Sequence, residues 1–150
     1  MRYKGKVAAV LAVVFGTAVV HATLVTAQQP MPTPVLALLG QEPFQAGGKQ
    51  FIRYRYFVAN AESYPDTLFA QSPNLPPCGQ NTKASRTWVD FFDKAGKRLN
   101  GFCALGSHNV LNGIWFALDA AVIPPSYVHI EMTDRQTNTK VKSNDADTTL

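Results

Sequence analysis

The sequence predicts an all-β protein folded as an antiparallel β-sandwich of about seven short strands. Three observations indicate this class. Segments with alternating hydrophobic residues recur along the chain, turns rich in Gly and Pro separate them, and no long segment has a helical hydrophobic period. A small jelly roll or an open barrel is the alternative architecture.

The first 27 residues are predicted to be a secretory signal peptide. Arg2, Lys4 and Lys6 precede the apolar residues 7–20, and small residues lead to a predicted cleavage after Ala27. An uncleaved anchor is the alternative, because the apolar character extends toward the ~20 residues that span a bilayer. We therefore expect a secreted or periplasmic protein without a stable membrane span after cleavage.

The basic character of the chain comes mostly from this leader. The full sequence has a net charge of +4 and a pI near 9.2. Without the leader, 11 basic residues face 10 acidic ones, which gives +1. The remaining chain is nearly neutral, so we expect no nucleic-acid partner.

Three further segments follow the leader. Residues 28–48 contain several prolines and a Gly pair, and are predicted to be a linker or a first edge segment whose short apolar run ends at Gly40. Residues 49–143 are predicted to form the sandwich domain. Residues 144–150 are polar and are predicted to be a frayed tail.

The first long strand is predicted at residues 49–60, where side chains alternate with a period of two. One phase is the better core face: Ile52, Tyr54, Tyr56 and Val58. On the other phase, Arg53 and Arg55 form a basic stripe that we interpret as a solvated outer face.

The remaining strands are shorter and are bounded by turn residues. They are predicted at residues 67–70, 86–93, 98–105, 111–118, 127–134 and 139–142. The turn at residues 93–96 ends in Gly96, which supplies the positive φ that a hairpin turn uses. This spacing of strands is typical of an immunoglobulin-like or fibronectin-type sandwich.

The only two cysteines, Cys78 and Cys103, are predicted to form a structural disulfide, because exported chains meet oxidising conditions. Two buried free thiols and a catalytic thiol are the alternatives. The disulfide implies that the segments holding Cys78 and Cys103 lie side by side or across a core, and a tryptophan near a disulfide is typical of a sandwich centre.

Four segments of the chain carry a resemblance to a known type of protein. They are LPPCG at 75–79, SRTWV at 85–89, GFCAL at 101–105 and IWFA at 114–117. Together they resemble a small exported bacterial β-sandwich domain of uncharacterised function, over roughly residues 50–144. The resemblance implies an exported compartment and a sandwich fold, and it transfers no catalytic residue.

Aromatic residues are the candidate ligand contacts. Aromatic side chains in a row on an exposed face could bind sugar rings or a partner protein. The candidates are Tyr54, Tyr56, Trp88 and Trp115.

No catalytic motif is present in the sequence. Ser107, His108 and Asp119 could be combined into a hydrolytic set, but no nucleophile-elbow motif supports them. We expect no catalytic residue, no cofactor and no metal site.

The sequence therefore predicts a non-enzymatic binding or accessory module at the cell envelope or outside the cell. Its expected partner is a protein or glycan of the cell surface. The alternatives are a carbohydrate-binding module that uses exposed aromatics, and a small hydrolase.

Overall fold

The computed structural model describes residues 30–79 and 84–149, and within them the chain is an antiparallel β-sandwich. The strands are β1 (Leu36–Ala46), β2 (Lys49–Val58), β3 (Thr87–Asp93), β4 (Arg98–Ala104), β5 (Ile114–Asp119), β6 (Tyr127–Asp134), β7 (Thr139–Lys142) and β8 (Ala146–Asp147). Three 3₁₀ helices connect them, at Ala61–Ser63, Asp66–Leu68 and His108–Gly113. The predicted all-β sandwich is confirmed. The predicted signal peptide, residues 1–27, lies outside the described residues.

The strands form two sheets. One has three strands in the order β1-β2-β5, and the other has five, in the order β4-β3-β6-β7 with β8 also paired to β6. Every pairing between these strands is antiparallel. Strands β7 and β8 pair with different ends of β6, so together they make one interrupted edge.

Aromatic side chains fill the space between the sheets. The ring of Tyr56 on β2 lies 5.6 Å, centroid to centroid, from that of Phe91 on β3, and this contact bridges the two sheets. Within its own sheet, Tyr56 lies 5.9 Å from Phe116 on β5. Tyr54 stacks on Phe116 at 5.0 Å. The Tyr56 hydroxyl donates to the Asp147 carbonyl at 3.1 Å, so its polar end is satisfied. The predicted core phase of β2 therefore faces inward, as its period indicates.

Strand β1 occupies most of residues 28–48, which were predicted to be a linker or a first edge segment. The strand does not end at Gly40 but continues to Ala46, and a register shift between Leu38 and Gly40 absorbs the irregularity. Gly47 and Gly48 then both take positive φ (57° and 76°), which allows a tight hairpin into β2. The segment is thus an edge strand of the sandwich, because its glycines make a bulge and a turn.

The C-terminal segment corrects the prediction of a frayed tail. β8 pairs with the first residues of β6, which extend beyond β7. The Asn144 side chain accepts from the Leu36 backbone N–H at 2.8 Å and donates to the Leu36 carbonyl at 3.0 Å. Thr148 is buried as well. Polar residues are ordered here because each finds a backbone partner.

Two predicted strands are helical in part. Residues 67–70 lie in and after the 3₁₀ helix Asp66–Leu68, and residues 111–113 end another, before β5 begins at Ile114. The Ser107 side chain accepts from the Asn109 N–H at 3.3 Å and caps that helix. Short apolar runs are compatible with a buried 3₁₀ turn as well as with a strand, so alternation alone did not separate them.

The predicted disulfide is confirmed. Cys78 and Cys103 are bonded, with their Cα atoms 5.7 Å apart. The two linked segments lie side by side rather than across the core: Cys103 pairs in register with Trp88, whose half-buried side chain lies on the face opposite that of buried Val89. The disulfide therefore fixes the loop before β3 onto the outer face of the five-stranded sheet.

Candidate binding face

The four aromatic residues predicted as ligand contacts do not lie on one surface. Tyr54 and Tyr56 are buried in the core, so their prediction as ligand contacts is wrong, because they belong to the inward phase of β2. Trp88 is half-buried on the five-stranded sheet, and its ring packs closely over Gly79: a Cβ added at Gly79 would lie 3.5 Å from the ring. Trp115 alone of the four has a large exposed fraction, 41%, and it belongs to the three-stranded sheet.

Trp115 is surrounded by aromatic and cationic side chains on the outer surface of its sheet. We call this surface the aromatic–arginine face; it consists of Phe44 from β1, Phe51, Arg53 and Arg55 from β2, and Trp115 from β5. Antiparallel register creates it, because Phe44 pairs with Phe51 and Arg55 pairs with Trp115. Cross-strand partners have side chains within contact distance.

The guanidinium of Arg53 is the centre of this face. It lies 4.5 Å from the ring centroid of Phe44 and 4.7 Å from that of Trp115, both within the range of cation–π attraction. Its terminal N–H donates to the Glu42 carboxylate at 3.0 Å. The Arg53 partner on β5 is Ala117, whose short side chain leaves room for this arrangement.

The stacked arrangement fixes the orientation of Trp115. The Phe44 and Trp115 rings meet edge to face with centroids 6.3 Å apart, and Phe44 also contacts Phe51 at 5.3 Å. The Arg53 Nε is buried and has no hydrogen-bond partner among the described residues. Arg53 is thus a supporting cation whose charge is largely satisfied by Glu42 and by the two rings.

Arg55 differs from Arg53 in its surroundings. It is exposed, and it makes no ion pair with any residue that the structure describes. Its β1 partner is Gly40, which has no side chain to cover it, and its β5 partner is Trp115. Among the described residues, a guanidinium without an ion pair therefore lies directly beside an exposed indole.

A groove adjoins Trp115 at the open side of the sandwich. It has a volume of about 270 Å³ and is lined by Phe102, Val110, Ile114 and Trp115 together with Asn100 and Gly113. The Asn100 amide donates to the Trp115 carbonyl at 2.9 Å and so connects edge strands β4 and β5. The groove extends the aromatic–arginine face toward the other sheet.

A larger cavity, of about 470 Å³, is lined by residues 30–32, by Leu68 and by the charged pair Arg86 and Asp134. Its charged groups bind each other: Arg86 donates to both Asp134 carboxylate oxygens, at 2.8 and 2.7 Å. Burial alone would raise the pKa of Asp134, but hydrogen bonds from Arg86, Thr137 and Gln136 outweigh it and lower the pKa. We consider this cavity structural, since its charged groups already serve the turn after β6.

The structure does not bring Ser107, His108 and Asp119 together. The His108 ring instead pairs with Asp66, with Nδ1 and Oδ1 2.7 Å apart. Hydrogen bonds from the His108 backbone and ring lower the pKa of Asp66. Asp119 accepts from the Ala121 N–H at 3.0 Å, at the far end of β5. The Asp66–His108 pair joins two 3₁₀ helices, and a nucleophile is not among its hydrogen-bond partners in the described residues.

Sequence reasoning missed the role of Phe44 and understated that of Arg53. The alternation in β2 already placed Arg53 and Arg55 on the outer phase, so the basic stripe was visible. Phe44 was missed because the apolar run in residues 28–48 was predicted to end at Gly40, and the pairing of the later residues with β2 is not visible in their own pattern.

The described residues contain no group of three or more His, Cys, Asp or Glu side chains that could hold a metal ion. In the same part of the chain, no helix is long and apolar enough to cross a membrane. No protein-family model, curated protein or solved structure matches the chain.

Proposed function

We propose that the chain is an exported, non-enzymatic binding module that acts at the cell envelope or outside the cell, and that the aromatic–arginine face is its binding surface. The observation that supports this most is the support of Trp115: an indole that is 41% exposed is held against the Arg53 guanidinium. Ordering this side chain before a ligand arrives reduces the entropy lost on binding.

The composition of the face also favours recognition. Tryptophan and arginine are enriched among the residues that dominate binding energy, and exposed apolar clusters are typical of interaction sites. The face has an apolar ring, Trp115, beside a cation, Arg55, that makes no ion pair among the described residues. The adjoining groove adds a concave surface.

Export is supported by two independent features. The Cys78–Cys103 bond is of the kind that persists in oxidising compartments. Residues 1–27 have the charge, apolar run and small residues of a signal peptide. We propose a secreted or periplasmic location, as the resemblance to small exported bacterial domains also implies.

An immunoglobulin-like assignment is the finer proposal for the fold. Strands β1-β2-β5 and β3-β6-β7 correspond to the A-B-E and C-F-G strands of that fold. The two remaining strands, β4 and β8, pair with β3 and β6 in the second sheet.

Co-sedimentation of the purified domain with isolated envelopes of the producing cells tests the proposed function. The matched variants are Trp115→Ala and Tyr127→Ala, because both residues are 41% exposed and they lie on different sheets. We expect Trp115→Ala to abolish co-sedimentation and Tyr127→Ala to leave it unchanged. Equal binding by all three proteins, or no binding by the parent domain, contradicts the proposal.

A further inference from the structure

We propose that the ligand of the aromatic–arginine face is an acidic polysaccharide, with a sugar ring on Trp115 and its carboxylate on Arg55. This inference rests on the proposed function and specifies its ligand. The juxtaposition that carries it is the register pair Arg55–Trp115, an exposed cation beside an exposed indole.

Charge complementarity selects an anionic ligand. Arg53 is paired with Glu42, whereas the Asp119 carboxylate keeps its charge but lies at the far end of β5, away from the Arg55–Trp115 pair. Arg55 remains without an ion pair among the residues described. A guanidinium binds a carboxylate through two parallel hydrogen bonds, which a neutral ligand cannot accept in the same way.

The position of the face favours a carbohydrate over an extended peptide. Peptides that bind to sheets gain affinity from main-chain hydrogen bonds at an edge strand. Here β2 is paired on both sides, by β1 and by β5, so the middle of the face presents side chains rather than free backbone groups. Flat apolar rings suit the weakly polar faces of sugars.

The length of the face allows more than one contact. Phe44 and Phe51 continue the aromatic surface from Trp115 across the sheet, with successive ring centroids 6.3 and 5.3 Å apart. Arg53 lies within this row and keeps the rings in place. A polymer can therefore contact the row beyond the sugar that Arg55 anchors.

Isothermal titration of the folded domain with three polymers tests the ligand class. Polygalacturonate is the acidic polysaccharide, its fully methyl-esterified form is the matched neutral polysaccharide, and polyglutamate is the acidic polymer without sugars. We expect binding of polygalacturonate that weakens as salt rises, because salt screens exposed charges. Equal binding of the esterified form would overturn the charge requirement, and equal binding of polyglutamate would overturn the sugar requirement.

Five variants locate the contacts. We expect Arg55→Ala to weaken polygalacturonate binding about tenfold and Trp115→Ala to weaken it by a similar or larger factor. Arg55→Lys should recover part of the affinity, since it keeps the charge but not the paired donors. Tyr127→Ala and Lys142→Ala, at exposed positions on the other sheet, are controls that should bind normally. Unfolding curves confirm that each variant is folded.

The two proposals fail in different ways. If the domain binds none of the polymers but still co-sediments with envelopes through Trp115, the ligand class is wrong and the binding module stands. If polygalacturonate binds unchanged to Trp115→Ala and Arg55→Ala, the site assignment is wrong. Absence of both polymer and envelope binding overturns both proposals.

Discussion

Replacement of Arg53 by Ala should destabilise the domain by about 1–2 kcal/mol. The guanidinium contacts two rings, at 4.5 and 4.7 Å, and each partly exposed cation–π contact contributes about 0.5–1 kcal/mol. The ion pair to Glu42 is partly exposed and adds about 0–1 kcal/mol. Release of the buried Nε, which has no partner among the described residues, offsets part of this loss.

Urea denaturation monitored by far-UV circular dichroism measures the change. Two companion variants separate the contributions: Glu42→Gln removes the ion pair and keeps the stack, whereas Arg53→Lys keeps a charge without the flat guanidinium. We expect Glu42→Gln to cost less than Arg53→Ala and Arg53→Lys to fall between them. The stacking argument would be refuted if Glu42→Gln lowered the free energy of unfolding as much as Arg53→Ala does. It would also be refuted if Arg53→Ala changed this free energy by less than about 0.3 kcal/mol.

Three further predictions concern the rest of the sandwich. Reduction of the Cys78–Cys103 bond should lower the free energy of unfolding by about 3 kcal/mol, measured by denaturation with and without reductant, and labelling of both thiols in the unreduced protein would contradict it. Burial lowers the pKa of His129 below its unfolded value of 6.5, so the unfolded chain takes up a proton at a higher pH than the folded domain does. The free energy of unfolding should therefore fall as the pH drops from 7 toward 5. A His129→Gln variant should show a flatter dependence of this free energy on pH. Arg86→Ala should cost about 3–5 kcal/mol in thermal or urea unfolding, because it leaves the carboxylate of Asp134, itself 3% exposed, without its bidentate partner; a cost below about 1 kcal/mol would show that the pair is not structural.

Local alternation predicted most of the strands well. The strands at residues 127–134 and 139–142 match β6 and β7, and β3 and β4 differ from their predicted ranges by one residue at one end. Each of these segments has one buried and one exposed face, so hydrophobic and polar residues alternate in its sequence with a period of two.

The two edge segments could not be predicted in the same way. β1 has few buried residues, contains Gly and Pro, and is ordered by its pairing with β2 rather than by its own pattern. β8 is only two residues long, and it forms because β6 offers an unpaired end. Partners that are distant along the chain determine both strands, and local propensity carries little information about them.

For the same reason, only part of the candidate site could be predicted from the sequence. Trp115 and the outward phase of Arg53 and Arg55 follow from single strands. Their union with Phe44 depends on the register of three strands, and the sequence does not determine that register. The burial of Tyr54 and Tyr56 was visible from strand phase, and their choice as ligand contacts ignored it.

Two asparagine side chains have a consequence for how this sandwich behaves in concentrated solution. Asn144 occupies the N–H and carbonyl of Leu36 on β1, and Asn100 occupies the carbonyl of Trp115 on β5. β1 and β5 are the two outer strands of the three-stranded sheet, where free backbone groups would otherwise recruit a strand from another molecule. Each side-chain amide thus links the two sheets and occupies backbone groups that could otherwise pair with a strand of another molecule. Asn100→Ala and Asn144→Ala would expose these groups, and their effect would appear as self-association rather than only as lost stability.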